Sequence, residues 1–522
     1  MTPIYADSRS DASLADSLAT VAETYRRHLP PGELRAFAVE GLDRLGLPVE
    51  IASFGFPKDH TAGGVPIGAV QFDGFGYGLT REEATVGALG ELTESAHCER
   101  DLAGRDFVLG SYDEMVAQFG RDGVCDPLTL CLPAGSAYDA SKPLEWTEAV
   151  RYEPGGSADG ERVFVPIEFA CVGRHQMRGR DPMIVCITNG LGAGLSREQA
   201  LAHGLLELLQ RDGNCTTFRA LDQGTVIELD EIADPSVRSL FDRLQAAGLD
   251  VSAKLASTEF GLVNAYVVGR DRHASGLPVQ TTACGEASHL DRERALRKAA
   301  VEFAAARSRK AFMHGPLKMI REVSPDWYLP SYLEHFDPAG EEPRALRAMV
   351  DWSQRTQADL ESLLAGTVFS HRSTVKLSDL PTVAPESIVD PRDRCEAVAA
   401  RLAAEGLPTL VMDYTPPGQD EIAVVKAIVP GLEGETMSYG RLGERGCRRL
   451  LDRGVDFVGH GKPTGSRLRV LLTEAAEERL GGPVWFDPEA AACAVGDHYA
   501  LYREPASHAV PLAIERGLFA GE

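Results

Sequence analysis

The sequence predicts an α+β protein with mixed β-sheets and paired, capped helices. Three observations carry this expectation: a motif that occurs twice, short β-rich runs alternating with helical segments, and an apolar content large enough for a sizeable core. Gly76-Tyr77-Gly78-Leu79-Thr80-Arg81-Glu82-Glu83-Ala84 returns 116 residues later as Gly192-Ala193-Gly194-Leu195-Ser196-Arg197-Glu198-Gln199-Ala200. The first copy runs on to Leu89, Glu91, Leu92 and Glu94, and the second to Leu205, Glu207, Leu208 and Gln210. Each opens with a helix-start signal, Thr80-x-x-Glu83 or Ser196-x-x-Gln199, in which a hydroxyl caps a backbone donor and the acid or amide reaches back. A fainter third copy starts at Asp291, keeps Ala295 and Glu302 in step, and ends in Arg307 and Arg309.

The remaining elements follow in chain order. Residues 1–65 form a lead-in, read as helix from Ala12 to Leu29 and again from Pro31 to Leu45, then strand from Val49 to Phe56. A structural cap on the core is the expected role, with a grip on a partner peptide as the alternative. Between Val65 and Lys318 β-rich runs, including Arg162 to Cys171 and Met183 to Ile187, alternate with the three helices. Pro325 to Pro330 interrupts the pattern, and Glu341 to Leu364 reads as one charged amphipathic helix suited to bridging or to homodimerisation. Strands at Thr409 to Met412 and Ile422 to Pro430 complete a domain spanning 66–435, and 436–522 is a C-terminal extension.

Residues three or four apart share a helix face, so Glu91 pairs with Glu94, and Glu207 with Gln210 and Arg211. If the helices pack together, three carboxylates and an amide converge, an arrangement that repels itself unless hard cations such as Mg²⁺ sit among the oxygens. That reading gives a Mg²⁺-nucleotide site, with Arg211, Arg297, Lys298 and Arg307 available for phosphates. The alternative is a set of ordinary solvated glutamates on amphipathic helices.

The run Thr188-Asn189-Gly190-Leu191-Gly192-Ala193-Gly194, followed by Ala200 through Glu207, Gln210, Arg211 and Asp212, resembles the signature of YcaO-domain proteins. Gly87 to Ser95 is similar to the family's Ser-x-x-x-Glu-x-x-Glu-Arg segment. Cys284 to Asp291, with Ala295, Lys298, Glu302 and Arg307, resembles its third segment, and Val424 to Glu433 its late strand and turn. The resemblance implies the YcaO fold and an enzyme that uses ATP and Mg²⁺ to phosphorylate a peptide backbone amide oxygen. A side-chain, sulfide or amine nucleophile then leaves an azoline, thioamide or amidine in a ribosomally made peptide. Carried over residue by residue, it implies Glu91, Glu94 and Glu207 as metal ligands with Gln210 ligating through its carbonyl. Arg211 and Lys298 would face phosphates, and Thr188 and Gln199 would contact the nucleotide.

Departures from the family pattern are Gln199 and Gln210 for Glu, Gly87 for Ser, Ser95 for Arg, Gly192 and Leu195 for polar residues, and Lys298 for Arg. They leave a non-catalytic, peptide-docking scaffold as the alternative function. The proline-rich tail of azoline-forming members has no counterpart in Ile514 to Glu522, which tilts the expected chemistry toward thioamidation with a TfuA-type sulfur-delivery partner or a second YcaO protein. The peptide substrate is expected to carry a leader sequence. No catalytic side chain is assigned, because amide activation demands positioning and charge neutralisation rather than a covalent nucleophile.

A net charge of -24 in 522 residues argues against nucleic acid as a partner. No basic-then-apolar leader or long apolar run appears, so a cytoplasmic protein, neither exported nor membrane-spanning, is expected. Ten cysteines without a Cys-x-x-Cys pair read as reduced thiols. Cys98, adjacent to His97, is not expected to be catalytic, since neighbours on a helix diverge by about 100°. His203 reads as a core or capping histidine, and His289, next to a Gly-containing loop, is somewhat more exposed to a functional role.

Overall fold

The repeat governs the architecture. In the computed structural model, residues 11–519 are described apart from 63–64, 69–70, 157–159, 174–175, 177–181, 217–218, 274–276, 385–386 and 435. Three strand-turn-helix units follow one another: Gln71–Tyr77 with the first helix Arg81–Gly104, Leu191–Gly194 with the second helix Arg197–Asn214, and Gly285–His289 with the third helix Arg292–His314. Thr80 Oγ1 accepts the N–H of Glu83 at 3.2 Å, Ser196 Oγ that of Gln199 at 3.2 Å, and Asp291 those of Glu293 and Arg294. Glu83 and Gln199 reach back one residue beyond the cap, accepting the N–H of Leu79 at 2.6 Å and Leu195 at 3.0 Å.

Each repeat strand is the outer strand of a different sheet. Gln71–Tyr77 edges a three-stranded antiparallel sheet with Glu33–Ala38 and Val49–Gly55, so the lead-in is hydrogen-bonded directly to the first unit. Gly285–His289 edges a five-stranded sheet, and Leu191–Gly194 edges a sheet built on Leu144–Tyr152, Thr409–Asp413 and Ala423–Ile428. Small residues let the helices lie directly on these strands: a Cβ at Gly76 would stand 1.7 Å from the Ala84 carbonyl oxygen, and one at Gly285 1.8 Å from that of Ala299. Separate apolar clusters then form, around Ala52 and Leu92 for the three-stranded sheet, around Val267 and Phe303 for the five-stranded one, and around Trp146 and Val165 and around Leu205 and Val425 for the third.

Four sequence expectations need correction. Residues 31–45 do not form a helix; Glu33–Ala38 is a strand paired Ala36 to Ala52, and Phe37 packs edge-on against Trp327 and Tyr328. Tertiary pairing here outweighs a helix-compatible composition. The strand at Arg162 stops at Pro166 and gives one helical turn, Ile167–Ala170. Met183 to Ile187 is not a strand, because Glu168 takes the N–H groups of Met183 at 2.6 Å and Ile184 at 3.2 Å. The helix expected from Glu341 to Leu364 is two, Pro343–Gln354 and Gln357–Leu364, with Thr356 capping the second through Asp359. The C-terminal segment folds as short helices around a three-stranded sheet, and its last helix, Ala509–Glu515, returns to pack near the third repeat helix. No helix among the described residues is long and apolar enough to cross a membrane.

Candidate functional site

The three repeat helices line a common cavity of about 390 Å³. Its wall repeats the register of the units. Glu91, Glu207 and Glu302 each stand eleven residues after their cap and all line it. Fourteen and fifteen residues after the cap come Glu94 and Ser95, Gln210 and Arg211, Ala305 and Ala306, and these line it too. Seven residues after the cap, His203 and Lys298 face in from the second and third helices. Asp73, Phe75 and Tyr77 of the first strand, with Thr188, Leu191 and Cys284, complete most of the lining.

The key carboxylates are tied to the neighbouring backbone. Glu91 accepts the N–H of Phe75 at 2.7 Å, Glu207 that of Gly190 at 3.1 Å and Glu302 that of Glu286 at 3.2 Å. Glu94 crosses between units to accept the N–H of Ala193 at 2.9 Å. Each therefore has one oxygen held by protein and a second free of these bonds. Burial pushes Glu94 up to about 8, and the like charges of Glu91 and Glu207 push in the same direction. Burial, then the charge of Glu286, raises Glu302 to about 7, with Lys298 acting against it. Burial likewise raises Glu91. The cavity thus holds acids that the surroundings keep from ionising fully, which is the electrostatic character of a cation site. Among the described residues, no three His, Cys, Asp or Glu side chains stand close enough to form a finished metal cage.

The cations are arranged around this acid set. Arg211 lies 3.7 Å from Glu207 and 3.9 Å from Glu286, and Lys298 and Arg309 also line the cavity. Two cations expected to meet phosphates are spent elsewhere. Arg307 is buried with Nε 2.7 Å from Asp43 and Nη2 2.8 Å from Asp271, and Arg297 lies 3.3 Å from Glu83. Arg309, two residues on from Arg307, lines the cavity instead. Gln199 is not part of the lining; its carbonyl is the cap acceptor for Leu195.

Other sequence candidates fall as follows. His203 lines the cavity, and burial with the nearby Lys298 charge holds it neutral, well below its ordinary value. Cys98 is buried outside the lining, with burial pushing its thiol up to about 12. His289 sits at the third cap, its Nδ1 accepting the Asp291 N–H at 2.9 Å, and burial lowers it to about 3. Of the cavity-lining residues that the sequence did not assign to the site, Glu302 was reachable from its shared distance to the cap. Arg309 and Tyr77 had no such signal, because no residue at the matching place in the other two copies marks them as cavity-lining.

Residues 75–433 match the family described as YcaO cyclodehydratase, ATP- and Mg²⁺-binding. The chain belongs to the YcaO family. An uncharacterized protein of Methanothermobacter thermautotrophicus is 27% identical over 417 residues, covering 79% of this chain and 93% of its own length. A Rhizobium leguminosarum bv. trifolii protein, described as uncharacterized and lying in the tfuA 3' region, is 25% identical over 464 residues, covering 85% of this chain and 95% of its own. In fold, the chain is similar to YcaO from Methanopyrus kandleri bound with AMPPCP and Mg²⁺, with a TM-score of 0.55 at 21% identity over 85% of this chain and 98% of that one. It is also similar to a heterocyclase in complex with substrate and cofactor, with a TM-score of 0.56 at 18% identity over 80% of this chain and 52% of the other.

Proposed function

We propose that this protein uses Mg-ATP to activate a backbone amide of a peptide for post-translational modification, with thioamide formation as the favoured outcome. The observation that carries the reading is the cavity wall itself, with Glu91, Glu207 and Glu302 at one depth on three helices and Arg211, Lys298 and Arg309 beside them. The donor set suits magnesium: carboxylate oxygens plus the Gln210 carbonyl are hard ligands, and an acid held near pH 8 gains from a divalent neighbour. Glu91, Glu94, Glu207, Glu302 and Gln210 would hold the ions, which supply charge neutralisation to the transferring phosphoryl group.

The chain's own side chains do the rest. Arg211, Lys298 and Arg309 orient phosphate oxygens, Thr188 offers a hydroxyl at the rim, and the buried wall limits water around the activated amide. Phosphorylating the amide oxygen turns a poor leaving group into a good one. A sulfide that has added to the carbonyl carbon then stays as the thioamide sulfur while the former amide oxygen departs on phosphate. Support for sulfur over ring closure comes from the relative encoded beside tfuA, since the family resemblance pairs thioamidation with a TfuA-type sulfur-delivery protein.

Calorimetric titration with Mg²⁺ and a non-hydrolysable ATP analogue tests the site. Micromolar binding is expected, lost in Glu91→Ala and Glu207→Ala variants that still fold. An absence of binding in the unaltered protein would turn the reading toward a peptide-docking scaffold. With ATP, sulfide and a substrate peptide, the product should gain roughly 16 Da, the sulfur-for-oxygen difference, whereas loss of water would point to azolines.

A further inference from the structure

The C-terminal extension reaches the cavity wall from behind. Glu504 lies between the helical turn Gly496–Leu501 and the helix Ala509–Glu515. Its two oxygens take the guanidinium of Arg309 in a two-pronged pair, 3.2 Å on each side. The same carboxylate accepts from Lys310 and stands 3.5 Å from His314. Two residues earlier, Tyr502 accepts the N–H of Ala220 at 3.0 Å, and Arg219 lies over its ring at 5.5 Å. Arg219 in turn meets Glu286 at 3.1 Å, the carboxylate that Arg211 faces. One short segment thus touches cation systems belonging to both the second and third units.

We propose that Glu504 is a positioning residue of the cavity, holding the Arg309 guanidinium in a fixed place at the cavity wall and back from its acids, so that the C-terminal extension is part of the working site. The proposal rests on the nucleotide reading only for its binding readout. Arg309 sits between opposite demands: Glu504 on the outer side, and the acids of the cavity on the inner side, whose charges both act on it. A long arginine left without its outer partner is free to swing into those acids and occupy the space that phosphates or cations need. A planar, two-pronged pair fixes direction as well as charge, which a lysine at the same place would not do. For Glu504 itself, burial raises the carboxyl, but Arg309 and Lys310 outweigh it and hold the group well below its ordinary value. The pair is therefore formed throughout the neutral range.

The test compares the full-length protein with Glu504→Gln and with Glu444→Gln, which breaks the Arg479 and Arg448 pairs of the same extension without touching the cavity. Two readouts are taken at matched thermal stability: the rate at which phenylglyoxal modifies Arg309, mapped by mass spectrometry, and calorimetric affinity for Mg²⁺ with the ATP analogue. Glu504→Gln is expected to speed modification of Arg309 by roughly tenfold, the size of a lost charge-assisted pair, and to weaken nucleotide binding by a similar factor. Glu444→Gln should change neither. If Arg309 reacts equally fast in all three proteins, Glu504 is only a tether for the chain end and the proposal fails. Changed reactivity in a protein that binds no nucleotide at all would keep the positioning role and refute the nucleotide reading instead.

Discussion

Two buried groups of charges meet at the end of the second repeat helix, and they are built on opposite plans. On one face, Glu207, Gln210 and Arg211 open into a cavity whose acids outnumber what the local cations can satisfy. On the other, Asp212 is 1% exposed at its side chain and receives Arg445 at 3.1 Å and Arg449 at 2.5 Å, while Glu259 serves the same two arginines. Burial alone would raise Asp212, but the two arginines outweigh it and lower it; Glu94, with no such partner, is raised to about 8. A complete ion cluster fastens the helix Glu444–Asp452 to the core, and an incomplete one leaves room and charge for something not made of protein.

The largest expected effect attacks the complete cluster. Asp212→Ala takes from the two arginines their buried carboxylate and leaves them the half-exposed Glu259, and should lower unfolding free energy by about 3 kcal/mol in denaturant titration. If stability is unchanged, the cluster is not the fastening it is taken for. Next comes the close packing that brings the third unit to the cavity. Gly285→Ala would drive a methyl into the Ala299 carbonyl and should destabilise by about 1–3 kcal/mol, the usual range for overpacking. A wild-type melting curve for that variant would mean the third helix can shift without consequence.

The incomplete cluster should respond with the opposite sign. Glu94→Gln removes a carboxylate that its surroundings resist ionising, so the metal-free protein should become slightly more stable at pH 9. Affinity for Mg²⁺ with nucleotide should fall about 10 to 100-fold. Both are measurable on one preparation, by thermal melting and by calorimetry. A variant that loses stability and keeps its affinity would place Glu94 with the structural acids.

The contrast also separates what the sequence could reveal from what it could not. The capped helices and the depth of Glu91, Glu207 and Glu302 were legible because they depend on local spacing, which repeats along the chain. Arg307 and Arg309 were not separable by that means. They are two residues apart on one helix, and only the positions of Asp43 and Asp271 on one side and Glu504 on the other decide which faces the cavity. The lead-in strand at Glu33–Ala38 failed for the same reason, since its pairing with Val49–Gly55 and its aromatic contacts lie outside any local pattern. Gln199 shows the converse: a residue placed in the site by analogy is occupied by its own helix start.

The smallest effect is in protons, and it discriminates between the two clusters most cleanly. A carboxyl whose folded value is raised binds its proton more tightly in the native state than in the unfolded chain. Its contribution to stability is therefore complete below the unfolded value near 4.5 and is lost as pH rises toward about 7 for Glu302 and about 8 for Glu94. Asp212, lowered in the folded state, behaves the other way, and loses its contribution only on acidification. A cation entering the cavity must displace the protons that Glu302 and Glu94 retain. Mg²⁺ titrations near pH 6.5, run in two buffers of different ionisation enthalpy, should therefore report release of about one to two protons, falling toward none by pH 9. Proton release that is absent at pH 6.5, or independent of pH, would mean that the ion binds away from these acids, and that the charge imbalance in the cavity serves some other end.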